Sequence, residues 1–291
     1  MQIRPRRSVL YMPGSNARAL EKAKSLPADA LILDLEDAVA PEAKSAARDL
    51  VAAAVRGRGY GNREVVVRIN GLDSPWGAAD LRVAASADAI LLPKASAGAD
   101  IARARAALIE AGAPSTPLWA MIETPLAILN LGDIVAAARQ PATRLACLVL
   151  GTNDLVKETR ADLSSDRTPA QYWLSATLTA ARAGGLDALD GVYNDIKDAE
   201  GFRGECLLGR RLGFDGKTLI HPDQIAIANS VFAPQEAEIA SARKIIAAFE
   251  QPENKGKGVI MLEGRMFELM HADIARRTLL IAAAIAQTES R

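Results

Sequence analysis

The sequence predicts an α/β protein, a TIM (β/α)8 barrel with a C-terminal helical extension. Three observations carry that expectation. Eight short apolar runs alternate with longer segments rich in Ala, Leu, Glu, Lys and Arg, the order that builds a parallel sheet wrapped in helices. The apolar runs are hydrophobic at consecutive positions, as strands buried on both faces must be. A length of 291 residues leaves room for one barrel of roughly 250 residues and a tail.

The first strand is expected at residues 9–12, directly behind the basic cluster Arg4-Pro5-Arg6-Arg7, with a helix at 17–25. The second, at 30–35, precedes a helix at 44–55. The third, at 65–69, follows a loop containing Gly57, Gly59 and Gly61. Strands at 89–92, 118–122 and 145–150 lead to helices at 101–111, 126–138 and 170–183. Strands at 188–192 and 218–220 complete the set. Pro41, Pro125, Pro169 and Pro222 fall where helices begin, where a missing N–H costs least. No G-x-G-x-x-G follows a strand, and Gly216-Lys217-Thr218 leads into a strand rather than a helix. A doubly wound nucleotide-binding sheet and a P-loop are therefore excluded. Residues 1–250 are assigned to the barrel. Residues 251–258, rich in Gly, Lys and Asn, read as a hinge, and 251–291 as a tail that packs on a neighbouring subunit. The apolar segment 259–261 and the helix-like 272–286 have no barrel element left to cover them.

Composition excludes several classes of function. Thirty-five Lys and Arg balance thirty-five Asp and Glu, so no global charge pulls the chain toward nucleic acid or an anionic membrane. The apolar stretches are broken well short of the ~20 residues a bilayer demands. The N-terminal basic cluster runs straight into a strand, without the apolar core of a secretory signal. Two cysteines, Cys147 and Cys206, are too few for a disulfide framework. They are expected as buried small hydrophobes in a cytoplasmic protein.

Barrel enzymes carry their chemistry on the loops behind the strands. Here those positions hold Pro13-Gly14, Glu36-Asp37, Arg68-Ile69-Asn70, Pro93-Lys94, Glu123-Thr124, Asn153-Asp154, Asn194-Asp195 and His221-Pro222. Glu123 and Asp154 close adjacent strands, and two oxygen donors without Cys or His suit Mg²⁺ or Mn²⁺. Each could instead cap the helix behind it. Of Glu36 and Asp37 only one is expected to point into the mouth, the other pairing with a cation or capping a helix near Pro41. Arg68, behind three valines, needs a carboxylate or an anionic ligand because it cannot shed its proton. Pairing with Glu36 or Asp37 still leaves it donors for a substrate. Lys94 among these carboxylates keeps a high pKa, which argues against Schiff-base chemistry. His221 and His271 read as structural. No G-x-S-x-G, H-E-x-x-H or C-x-x-C is present.

Several segments together resemble the citrate lyase beta subunit family. They are Leu10-Tyr11-Met12-Pro13-Gly14-Ser15-Asn16, Leu33-Asp34-Leu35-Glu36-Asp37-Ala38-Val39 with Lys44 and Arg48, and Val67-Arg68-Ile69-Asn70. Leu92-Pro93-Lys94, Ile122-Glu123-Thr124, Gly151-Thr152-Asn153-Asp154 and Gly213-Phe214-Asp215-Gly216-Lys217 continue the match in order. The resemblance implies a TIM barrel, a trimer or hexamer, and a Mg²⁺-dependent CoA-ester lyase. It makes Glu123 and Asp154 the metal ligands, with Arg68 on the substrate carbonyl. Glu36, Asp37 and Lys94 then line the substrate site, and Tyr11, Asn16 and Lys22 become candidate contacts to CoA. The implied reaction is retro-Claisen cleavage of a short 3-hydroxyacyl-CoA (malyl-, citramalyl- or citryl-CoA) to an α-keto acid and an acyl-CoA. In the family's tail an aspartate reaches a neighbouring subunit's site as acid/base; here Gly264-Arg265-Met266-Phe267-Glu268 puts glutamate there. Glu268 with Leu269-Met270-His271 looks closer to malyl-CoA thioesterases and other CoA-ester lyases than to the citrate lyase subunit itself, so hydrolysis of the same CoA ester is the alternative. A non-catalytic CoA-binding subunit is a third reading, against which the complete rim argues.

Overall fold

The computed structural model describes residues 3–164 and 166–289. Eight strands close into a parallel barrel in sequence order. They are β1 (Ser8–Pro13), β2 (Ala30–Asp34), β3 (Glu64–Arg68), β4 (Ala89–Leu92), β5 (Leu118–Ile122), β6 (Leu145–Leu150), β7 (Asp187–Asp190) and β8 (Gly216–Leu219). Each lies within two residues of its predicted bounds, because a run of consecutive apolar residues between turn formers admits little slippage.

Side-chain parity along the strands decides what the barrel interior holds. Val9, Ile32, Val66, Leu91, Trp119, Met121, Val149 and Leu189 pack together inside it. Strand side chains alternate with a period of two, so Tyr11, Asp34, Arg68 and Glu123 continue this inward set at the C-terminal ends of β1, β2, β3 and β5. The opposite end is sealed: the Arg6 guanidinium lies 4.7 Å over the Trp119 ring, 2.7 Å from Glu64, and also pairs with Asp187.

The predicted helix at 126–138 is two, Pro125–Leu129 and Leu131–Ala138, broken at Asn130, whose amide reaches back 2.9 Å to the Ser96 carbonyl. Helices Gly77–Ala84, Thr152–Thr159, Ala199–Leu212, Ile225–Phe232 and Glu236–Glu250 had been given no bounds. Cys147 and Cys206 are buried free thiols, as expected. Among the described residues no helix is long and apolar enough to cross a membrane.

The chain divides into two compact units, Arg6–Val231 and a second built from residues 3–5 and 232–289. This division comes earlier than the 250/251 boundary read from composition. The reason is packing: Phe249 at the end of helix Glu236–Glu250 is buried with Ile260 and Ala272, flanked by Ile245 and Phe267. That helix therefore belongs with the tail. The second unit also holds an antiparallel hairpin, β9 (Val259–Leu262) and β10 (Arg265–Glu268), and the helix Leu269–Glu289. Glu263 and Gly264 connect the hairpin, both at positive φ (49° and 77°), the geometry a two-residue turn needs to match strand twist.

Candidate active site

At the C-terminal end of the barrel, Asp34 and Arg68 are register partners on β2 and β3. The Asp34 carboxylate accepts from Arg68 Nε at 2.7 Å and Nη2 at 2.6 Å. Arg68 Nη1 stands 3.0 Å from Glu36 Oε2, 3.7 Å from Asp37 Oδ2 and 3.7 Å from the Met121 sulfur. The Tyr11 ring covers the guanidinium face at 4.9 Å, and its hydroxyl donates to the same sulfur. Burial works against the charged guanidinium, but the Asp34 bonds together with the neighbouring negative charges of Asp34 and Glu36 and the Tyr11 phenol outweigh it and hold the Arg68 pKa well above its ordinary value. Burial also pushes the Tyr11 phenol upward.

Strand β2 ends at Asp34 rather than at 35. Of the two acids behind it, Glu36 is the buried one in the mouth, whereas Asp37 is 57% exposed and meets the Arg68 cation at 3.7 Å, the pairing expected of the second acid. Glu36 is buried and its pKa is raised by burial, which the Arg68 charge only partly offsets. Its other oxygen lies 3.2 Å from Lys94 Nζ, a side chain that is 53% exposed. Burial opposes the Lys94 ammonium, yet the Glu36 carboxylate prevails and the pKa is raised. That agrees with the sequence argument against an amine nucleophile.

Glu123 is fully buried at the end of β5. Its Oε1 accepts the Lys94 backbone N–H at 2.7 Å, and Lys94 adopts φ +53° in doing so. Oε2 is buried without a donor. Burial first, then the neighbouring Glu36 charge, pushes the Glu123 pKa up to about 8, and Asp154 adds to the effect. Gly151 explains how the side chain fits. A Cβ there would lie 2.4 Å from Glu123 Cβ and 2.8 Å from Oε2, so only glycine lets the backbone pass. Asp154 occupies the first turn of helix Thr152–Thr159, half-buried. Neither acid is a helix cap: Thr124 caps the helix behind Glu123, through Ala127 N–H at 3.0 Å, and Gly151 is the cap residue of the other.

The donor set fits a hard divalent cation. An orphaned carboxylate oxygen whose charge is disfavoured by its acidic neighbours is what a cation would relieve. No cluster of three or more His, Cys, Asp or Glu able to hold a metal occurs among the described residues. Two carboxylates leave the remaining positions to water and substrate, the usual habit of Mg²⁺.

The other sequence candidates lie further out. Asn16 accepts from Ala19 N–H at 3.0 Å as cap of helix Ala17–Ala23, and Lys22 is exposed on that helix's last turn. His221 accepts from Asp223 N–H, so it is a turn residue. In the second unit Glu268 is exposed at the end of β10, and its N–H donates to His271 Nδ1 at 3.0 Å.

A sequence profile of the HpcH/HpaI aldolase/citrate lyase family matches residues 7–222. The chain belongs to that family. It is 52% identical over 287 residues to the (3S)-malyl-CoA thioesterase of Cereibacter sphaeroides, covering 98% of this chain and 97% of the relative. To citrate lyase subunit beta of Escherichia coli it is 37% identical over 286 residues, covering 95% and 93%. Among solved structures, CitE from Mycobacterium tuberculosis in complex with magnesium, acetoacetate and coenzyme A superposes with a TM-score of 0.74 at 29% identity, covering 96% and 98%. Within this HpcH/HpaI-family barrel, the sequence argument missed Asp34, Met121 and Gly151. Parity could have found the first two: Asp34 is two residues past inward Ile32, and Met121 two before Glu123.

Proposed function

We propose that this HpcH/HpaI-family chain is a Mg²⁺-dependent hydrolase of a short 3-hydroxyacyl-CoA thioester of the malyl-CoA class. The observation that carries the reading is identity of 52% across nearly the whole chain to a relative named for that hydrolysis. The order in which the two reactions stood on sequence alone is thereby reversed, with carbon–carbon cleavage now second.

The residues divide the work. Glu123 and Asp154 would hold the Mg²⁺, which when bound would supply Lewis-acid polarisation. Arg68 turns Nη1 toward the thioester oxygen, where negative charge develops; removing one such donor costs about 10²–10³ in rate. Lys94, at the rim, attracts the anionic ester and shares the Glu36 carboxylate with Arg68. The partner subunit's Glu268 takes the proton of the attacking water. His271, which accepts the Glu268 backbone N–H, fixes the end of the strand that carries that side chain. Tyr11, Asn16 and Lys22 remain the proposed CoA contacts. Cleavage keeps one specific point in its favour: the same Arg68 donor and carboxylate pair would also stabilise an enolate.

The test is to assay the Mg²⁺-loaded protein on a panel of hydroxyacyl-CoAs, following free thiol and keto acid separately. Free CoA and hydroxy acid are expected, without keto acid. Keto acid with acyl-CoA and no free thiol would reinstate the lyase. Glu268→Ala should abolish hydrolysis while leaving Mg²⁺ binding unchanged.

A further inference from the structure

We propose that Asp34 is a positioning residue for this reaction, acting through Arg68; the inference rests on the reading of Arg68 as the donor to the thioester oxygen. Asp34 is fully buried at the end of β2. Its two oxygens accept four hydrogen bonds, from Arg68 Nε and Nη2 at 2.7 and 2.6 Å and from the backbone N–H groups of Glu36 and Ala38 at 2.9 and 3.1 Å. A carboxylate offers about four lone-pair sites. All are filled, so Asp34 has no capacity left to take a proton from substrate or to ligate a metal. What it does instead is geometric.

The two parallel bonds to Arg68 fix the plane of the guanidinium, since a fork-to-fork pair allows neither rotation nor tilt. Tyr11 at 4.9 Å closes one face. Of the three nitrogens only Nη1 is left, on the edge toward Glu36 and Asp37. The same carboxylate ties down the turn that carries those two acids, through the N–H groups of Glu36 and Ala38. One buried side chain therefore sets the aim of the donor and the place of the acids that compete for it. Stability alone does not account for the arrangement. Buried ion pairs contribute little net stability over apolar pairs of the same volume, and the layer of inward positions directly below this one is apolar. What the pair supplies is orientation.

A double-mutant cycle tests this on the Mg²⁺-loaded protein: wild type, Asp34→Asn, Arg68→Gln and both together. Turnover is read as free thiol, and binding as the dissociation constant of an ether analogue of the hydroxyacyl-CoA. Asparagine keeps the shape of Asp34 but sets an NH₂ against a donor. Asp34→Asn is expected to lower kcat about 10²-fold, the scale of a 1 Å misplacement, with Mn²⁺ affinity within about threefold of wild type. In the Arg68→Gln background it should add less than about threefold, because there is no guanidinium left to aim. Losses that multiply across the two sites, or an Asp34→Asn kcat within about threefold of wild type, would overturn the proposal. Asp34→Glu keeps the ion pair, and hence the fold, while pushing the guanidinium outward by one methylene. A kcat about tenfold lower with unchanged melting temperature supports the role, an unchanged kcat refutes it, and this variant decides should Asp34→Asn not fold. A wild-type chain without thioester hydrolysis would overturn the functional reading alone; the cycle is then read from the analogue's dissociation constant, where an Asp34→Asn loss that persists undiminished in the Arg68→Gln background overturns the proposal.

Discussion

Metal affinity should fall steeply with acidity in a range where most carboxylate sites are indifferent to pH. The cause is Glu123, whose pKa of about 8 belongs to the metal-free chain. A cation binds only the ionised form, so the apparent dissociation constant scales as one plus the ratio of protonated to ionised Glu123. With the Glu123 value of about 8, that factor is about 2 at pH 8 and about 100 at pH 6, so affinity weakens about 50-fold between them. An ordinary glutamate would give a change of about 3% over the same interval. The assay is Mn²⁺ titration at constant ionic strength, read by the resonance of the free ion. Calorimetry in buffers of different ionisation enthalpy adds the proton count, about one released per metal at pH 6 and about half at pH 8. A dissociation constant flat across this range would show that Glu123 is ionised before metal arrives, and the orphaned-oxygen reasoning would fail. The sign for stability follows. The folded state raises this pKa, so the stabilisation is present while Glu123 is protonated and is lost as pH climbs from its unfolded value near 4.5 toward about 8. Glu123→Gln should flatten that decline in the metal-free protein.

Gly151→Ala should weaken Mn²⁺ binding at least about tenfold, because its Cβ would displace Glu123; affinity equal to wild type, at equal melting temperature, counts against the crowding argument. Phe249→Ala should cost about 3–5 kcal/mol within the second unit, where Phe249 packs on Ile260 and Ala272. Hydrogen exchange should then accelerate across β9, β10 and the helix Leu269–Glu289 ahead of the barrel. Sedimentation at micromolar concentration should give a trimer or hexamer, since Met261, Met266, Leu269, Met270 and Ile274 are all exposed in that unit. A fully active monomer would contradict the assignment of Glu268 to a neighbour's site.

The barrel was legible because its strands are apolar on both faces, a signal that needs no knowledge of partners. Helices such as Ala199–Leu212 escaped notice because their buried residues, Phe202, Cys206 and Gly209, are few and widely spaced among charges. The break at Asn130 is set by a tertiary bond to Ser96, which no local pattern encodes. At the site, residue types at strand exits named Arg68, Glu123 and Lys94 correctly as neighbours. They named Glu36 and Asp37 as partners of Arg68, and both pairs are present, but they missed the bidentate Asp34, which was counted inside an apolar strand and not followed by parity into the interior. Gly151 was visible only as part of a motif, and its role was not, since that role is defined by the glutamate that passes beside it.

Trp119 under the Arg6 guanidinium, with Glu64 and Asp187 around it, turns the barrel into a blind well. A barrel interior of this kind is a packed core and not a pore, so substrate, leaving thiol and water meet at its C-terminal mouth. Hydrolysis and carbon–carbon cleavage differ in whether water reaches the thioester while the acyl group is activated. In a blind well that choice is made at the opening, by whatever covers it and for how long. Two chains with the same floor and the same walls could then release different products from one ester.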